Sequence, residues 1–151
     1  MSSETSTVTE HPVFVIVRLD VVTNSSMLSV YLQEASAIAW CKSTIEESTV
    51  RSRKAVPGEI EVTSPSQGVT EVVRNPQGKS RGFRVVQTPF TRFLPAPPQG
   101  KSEPVHIVHD PESGEVLWAT DSPDEAARIR RTATSMYEDR QYQYKKLSLF
   151  I

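Results

Sequence analysis

The chain has 151 residues, 37% of them hydrophobic, and a formal net charge of −1. That length suits one domain, the apolar fraction suits a packed core, and the near-balance of charge gives no overall pull toward nucleic acid or an anionic membrane. Cys41 is the only cysteine, which excludes an intramolecular disulfide and a thiolate zinc cluster.

The charge is unevenly placed. Residues 1–50 carry two basic and six acidic side chains, residues 51–101 nine and three, and residues 102–151 six and nine. A middle segment of +6 thus lies between flanks of −4 and −3. Such a segment is expected to dock an acidic protein partner or a second copy of the chain.

In chain order, Met1 to Glu10 is polar and rich in Ser and Thr, and reads as a disordered tail without the apolar core of a signal peptide. The longest apolar run, Val13 to Val17, is too short to cross a bilayer. The expectation is a soluble chain of the cytoplasm or nucleus, with no membrane partner. Val13 to Leu19 is continuously apolar, the pattern of a strand buried on both faces. Thr23 to Ser26 reads as a turn and Met27 to Leu32 as the returning strand. Glu34 to Glu47 reads as a helix with Ala37, Ile38, Cys41 and Ile45 on one face.

From Thr49 to Ser80 the chain is broken by Pro57-Gly58, Pro65, Gly68, Pro76 and Gly78, with space for a hairpin of short strands. Gly82 to Gln87 reads as a strand ended by Thr88-Pro89, and residues 95–103 as a stiff proline-rich connector. Pro104 to His109 and Glu115 to Thr120 form a hairpin around Asp110-Pro111-Glu112-Ser113-Gly114. Ser122-Pro123-Asp124-Glu125 starts a helix over 123–138, with Ser122 and Glu125 as a capping box and Ala126, Ile129, Ala133 and Met136 as its apolar stripe. Tyr142 to Phe150 closes as a strand with an irregularity near Lys146.

Residues 11–94 and 104–151 therefore repeat one pattern, strand-strand-helix-strand. The sequence predicts an α+β fold, a single domain over 11–151. Its duplicated β-β-α-β unit would form a two-layer sandwich, with a mainly antiparallel sheet and both helices on one face.

No side-chain constellation outweighs a structural reading, and neither a cofactor nor a metal is expected. His106 and His109 stand three apart on a strand and diverge to opposite faces. Cys41 falls on the apolar helix stripe, where a buried, inert thiol is expected. Neither a P-loop nor a Gly-x-Gly-x-x-Gly fingerprint occurs.

Lys79-Ser80-Arg81-Gly82-Phe83-Arg84-Val85-Val86 resembles a degraded RNA-recognition-motif signature, and Val13-Phe14-Val15 resembles that family's companion strand. In this chain Val85 stands where the family has its second stacking aromatic, and the hairpin 105–120 interrupts the family's strand order. The resemblance implies single-stranded nucleic-acid binding, with Phe14 and Phe83 stacking on bases, Arg81 reaching a phosphate, and Arg84 and Arg92 as neighbouring basic binding residues. The sequence thus favours a small interaction module without catalytic activity, and offers nucleic-acid binding as the second reading.

Overall fold

The computed structural model describes residues 9–19, 27–47, 60–74, 78–113, 115–137 and 141–151. The expected turn at Thr23–Ser26, the Pro57-Gly58 and Pro76 breaks and residues 1–8 of the expected tail lie outside these. Thr9 and Glu10 already belong to a strand.

The elements are β1 (Thr9–Arg18), β2 (Met27–Tyr31), α1 (Glu34–Glu47), β3 (Ile60–Ser66), β4 (Val69–Arg74), β5 (Gly78–Arg92), β6 (Ser102–His109), β7 (Val116–Thr120), α2 (Pro123–Met136) and β8 (Gln143–Phe150). The strands form one sheet in the order β1-β2-β8-β6-β7-β5-β4-β3, and β1 also pairs with β5. That last pairing closes six strands into a barrel and leaves β4 and β3 as a flap continuing from β5.

The expected open sandwich is thereby corrected. Each half forms a three-stranded antiparallel unit, β2-β1-β5 and β7-β6-β8. The units do not lie side by side. The outer strands of each reach across to the other and pair in parallel, β2 with β8 and β5 with β7. Closure in this way removes the two open edges that each unit would otherwise present.

Closure also explains the continuous apolar run in β1. Val13, Val15 and Val17 point into the barrel with Val105, Ile107, Phe90 and Leu149, while Ile16 faces outward under α1. A barrel of six strands is narrow enough for side chains alone to fill. The helices cover different outer faces. Ala37, Cys41 and Ile45 of α1 pack on Ile16, Val72 and Val85; Ala126 and Ala133 of α2 pack on Val108 and Tyr142. The expected placement of both helices on one face fails because each helix stays over its own unit after the units interlock.

The pairing registers of the halves match. Ile16 faces Ser29 and Val17 faces Met27, skipping Leu28. Val108 faces Trp118 and His109 faces Val116, skipping Leu117. The bulge falls at the same place in both hairpins and sharpens the local twist.

Three local expectations also change. β5 runs through Thr88-Pro89 to Arg92, with Pro12 and Pro89 directly opposite each other, where antiparallel pairing leaves alternate pairs without cross-strand bonds. β8 keeps an unbroken register with β6, from Ser102–Phe150 to His109–Gln143. The tyrosines and leucines of 142–149 fall on different parities because both faces are used, Leu149 inside the barrel and Tyr142, just before β8, under α2. Met136, expected on the buried stripe, is 68% exposed.

Two glycines are demanded by geometry. Gly68 turns β3 into β4 at φ 77°, a region costly for other residues. At Gly82 a Cβ would lie 2.6 Å from Val73 Cγ1 and 3.0 Å from the Val72 carbonyl oxygen.

Candidate functional site

An apolar concavity lies between α2 and the seam where β5 meets β7. The local sequence builds it. Ser122 caps α2 by accepting the Glu125 N–H at 3.2 Å, and Pro123 takes the first turn. Glu125 does not reach back to complete a capping box; it accepts two bonds from Arg128, at 2.7 and 2.6 Å. Ala126 and Ala133 are small and buried, so the helix sits close over Val108. Ile129 and Met136, on the same stripe, overhang the edge of that contact.

The result is a groove of 560 Å³. Leu117 and Trp118 of β7 form its floor with Thr91 and Phe93, and Ile129, Thr132, Met136 and Tyr137 form the helical wall. Glu10, Glu125 and Arg128 stand at its rim. Two other clefts, beside Gln67-Gly68 and beside Ser102 to Pro104, are lined by a larger share of polar side chains.

The floor is held from beneath by an ion cluster in the barrel end. Trp118 Nε1 donates to Thr91 Oγ1 at 2.9 Å. The Asp121 carboxylate accepts the Phe93 and Leu94 N–H groups at 2.8 and 2.9 Å. Arg92 lies 3.9 Å from Asp121, donates to both Glu103 oxygens at 3.2 and 2.6 Å, and sits over the Phe90 ring. Arg92, Glu103 and Asp121 are all largely removed from water. Two carboxylates and one guanidinium linked in this way form a rigid support, and losing one member would strand the others.

The residues singled out from the sequence are dispersed. Phe14 and Phe83 pack against the cluster that α1 closes, and Phe83 meets Trp40 edge-on with ring centroids 5.3 Å apart. Arg92 points into the barrel end. Arg84 is half-exposed and bonds Glu71 at 3.0 Å. Arg81 lies on β5, and its side chain is outside the described residues. Of the basic side chains in 51–101, three are described, Arg84, Arg92 and Lys101, and the first two hold carboxylate partners.

His106 and His109 do point to different faces of β6. His106 Nδ1 and His109 Nε2 are buried without a hydrogen-bond partner among the described residues. Burial lowers both imidazoles below their ordinary range, and Lys146 and Lys145 respectively add to the effect. No group of three or more His, Cys, Asp and Glu converges as metal ligands among the described residues. Burial pushes the Cys41 thiol up to about 12.

The groove itself was not singled out from the sequence. One signal could have found it: the α2 stripe carries a full-sized apolar residue at Met136, a turn beyond the point where alanines suffice for packing. The floor could not have been found, because Phe93, Leu117 and Trp118 meet only when β5 and β7 pair in parallel.

No protein-family model, curated protein or solved structure matches the chain. No helix among the described residues is long and apolar enough to cross a membrane. Among the described residues, fold and site define a closed six-stranded barrel with a flap of two strands, two external helices and an apolar side groove.

Proposed function

We propose that the protein is a small interaction module, acting without catalysis in the cytoplasm or nucleus, that docks another protein on the groove beside α2. One observation carries this reading. Met136 and Tyr137, adjacent in the groove wall, are 68% and 45% exposed. They are two of the six large apolar side chains exposed among the described residues, and they stand together at one concavity with Phe93, Leu117, Trp118 and Ile129. Clustered exposed apolar area is the usual mark of a binding surface, whereas scattered single residues are not. The groove offers apolar walls, three hydroxyls and one self-neutralised ion pair, a chemistry suited to holding apolar side chains.

The placement of Phe14, Phe83 and Arg92 favours this reading over nucleic-acid binding, because base stacking needs rings on an open face and phosphate contact needs accessible cations. The same reading takes the two halves as copies of one β-β-α-β unit. The matched bulges and reciprocal parallel seams support this. A tandem of two copies of residues 102–151 that fails to fold would count against it.

The test is selection from a displayed random-peptide library against the intact chain. Thr132→Arg, at an exposed position in the groove wall, fills the groove without touching the core. Recovered binders should lose at least about tenfold in affinity on that variant, as expected when a central contact is blocked. Selection that yields no binder sensitive to Thr132→Arg would overturn the proposal.

A further inference from the structure

Resting on that reading, we infer that the groove takes a cationic amphipathic helix of the partner protein. Backbone pairing offers the partner nothing here. β7 forms the floor, and its two edges are held by β6 and β5. A strand cannot be added to it, so recognition falls to side chains.

The groove follows α2 from Glu125 to Tyr137. At 1.5 Å per residue that is a length of about 18 Å, or roughly three helical turns. A helix lying along it presents apolar anchors at i, i+3 or i+4, and i+7 to the strip formed by Phe93, Trp118, Ile129 and Met136. The Arg130 and Arg131 side chains do not line the groove.

The electrostatics select the sign of the partner. Glu125 and Arg128 neutralise each other at the rim. Glu10 has no ion-pair partner among the described residues. The last turn of α2, where Met136 and Tyr137 stand, carries no basic residue to offset the negative end of the helix dipole. The groove is therefore negative at its rim and at the helix C-terminus, and a partner with lysine or arginine flanking its apolar stripe is complementary to it.

Trp118 lies in the groove and serves as the reporter once Trp40, under α1, is replaced by Trp40→Phe. The probes are three synthetic 15-residue peptides: an amphipathic helix with lysines flanking its apolar stripe, the same stripe flanked by glutamates, and the lysine composition scrambled. Titration at low salt should show the lysine helix binding about tenfold tighter than the glutamate helix, the scale expected when rim charge pairs and a dipole contact reverse sign together. Glu10→Gln should narrow the gap to about threefold, added salt should narrow it further, and Thr132→Arg should abolish binding.

Equal or tighter binding of the glutamate helix, or of the scrambled peptide, overturns the inference. So does binding of none of the three while the library yields groove-dependent binders of other character, a result that leaves the interaction reading intact. Dimerisation that Thr132→Arg prevents would assign the groove to a second copy of the chain and overturn the inference as well.

Discussion

At one end of the barrel six inward-facing positions form a ring, divided between the two parallel seams. Around the β5–β7 seam stand Arg92, Asp121 and Glu103; at the register-matched places around the β2–β8 seam stand Ile151, Leu32 and His11. One sector is a buried ion cluster and the other is mainly apolar, on the same backbone frame. The outer faces differ in parallel. Beside β7 lies Trp118 with the apolar groove, whereas the matched residue beside β2 is Ser29, whose hydroxyl has no hydrogen-bond partner among the described residues. The frame alone therefore does not create the groove. It arises where an ion cluster fixes Phe93 and Leu94 through Asp121, and where a tryptophan replaces a small residue.

The comparison can be broken most severely at Arg92. Arg92→Ile, which copies the opposite sector, leaves Glu103 and Asp121 buried without their cation and should cost about 3–5 kcal/mol in urea unfolding. Arg92→Ile with Glu103→Leu should recover roughly half of that, because Asp121 keeps its two backbone N–H donors. If the double variant is no more stable than the single one, the sectors are not interchangeable in the way their registers suggest. Gly82→Ala sharpens the comparison on the first half, where β4 and β5 approach closely. The added methyl should cost about 1–3 kcal/mol by the same measurement. Ser122→Ala removes the cap of α2 and should cost about 1 kcal/mol, with a matching loss of far-UV helical signal on heating.

The smallest expected effect is a pH dependence, and it too separates the halves. His109 stands where the first half has Val17. Burial lowers its imidazole below the ordinary 6.5; Lys145 adds to this and Asp110 opposes it. The unfolded chain therefore takes up the proton first. Stability is complete above about pH 6.5 and falls as the solution is acidified below it. Urea midpoints of His109→Val measured from pH 5 to 8 should show a shallower acid limb than those of the parent chain, with His106 supplying part of the remaining slope. Identical limbs would remove His109 from the account.

Local signals in the sequence carried well. The α1 face of Ala37, Cys41 and Ile45, the Ser122 cap and the Asp110 turn, where Asp110 accepts from the Glu112 N–H at 3.0 Å, are all decided within a few residues. The repeated order of strands and helices was legible for the same reason. Closure was not, because the parallel pairs Val30–Leu149 and Phe90–Ala119 join residues distant in the chain, and no local pattern distinguishes an outer strand that ends a sheet from one that crosses to the other unit. Arg92 shows the limit most plainly. In sequence it belongs to a basic stretch and is a candidate for binding nucleic acid; in the fold its parity with Phe90 turns it inward to meet carboxylates from β6 and the end of β7.

The crossed seams also govern how the chain can be made. During synthesis β2 and β5 emerge long before β8 and β7 exist, so the nascent first half must wait with two strands lacking their final neighbours. Pairings this remote in sequence form slowly, and unfinished strand edges invite association with other chains. The emergence of β7 and β8, more than the completion of the first half, is thus the moment at which the unfinished edges can be covered.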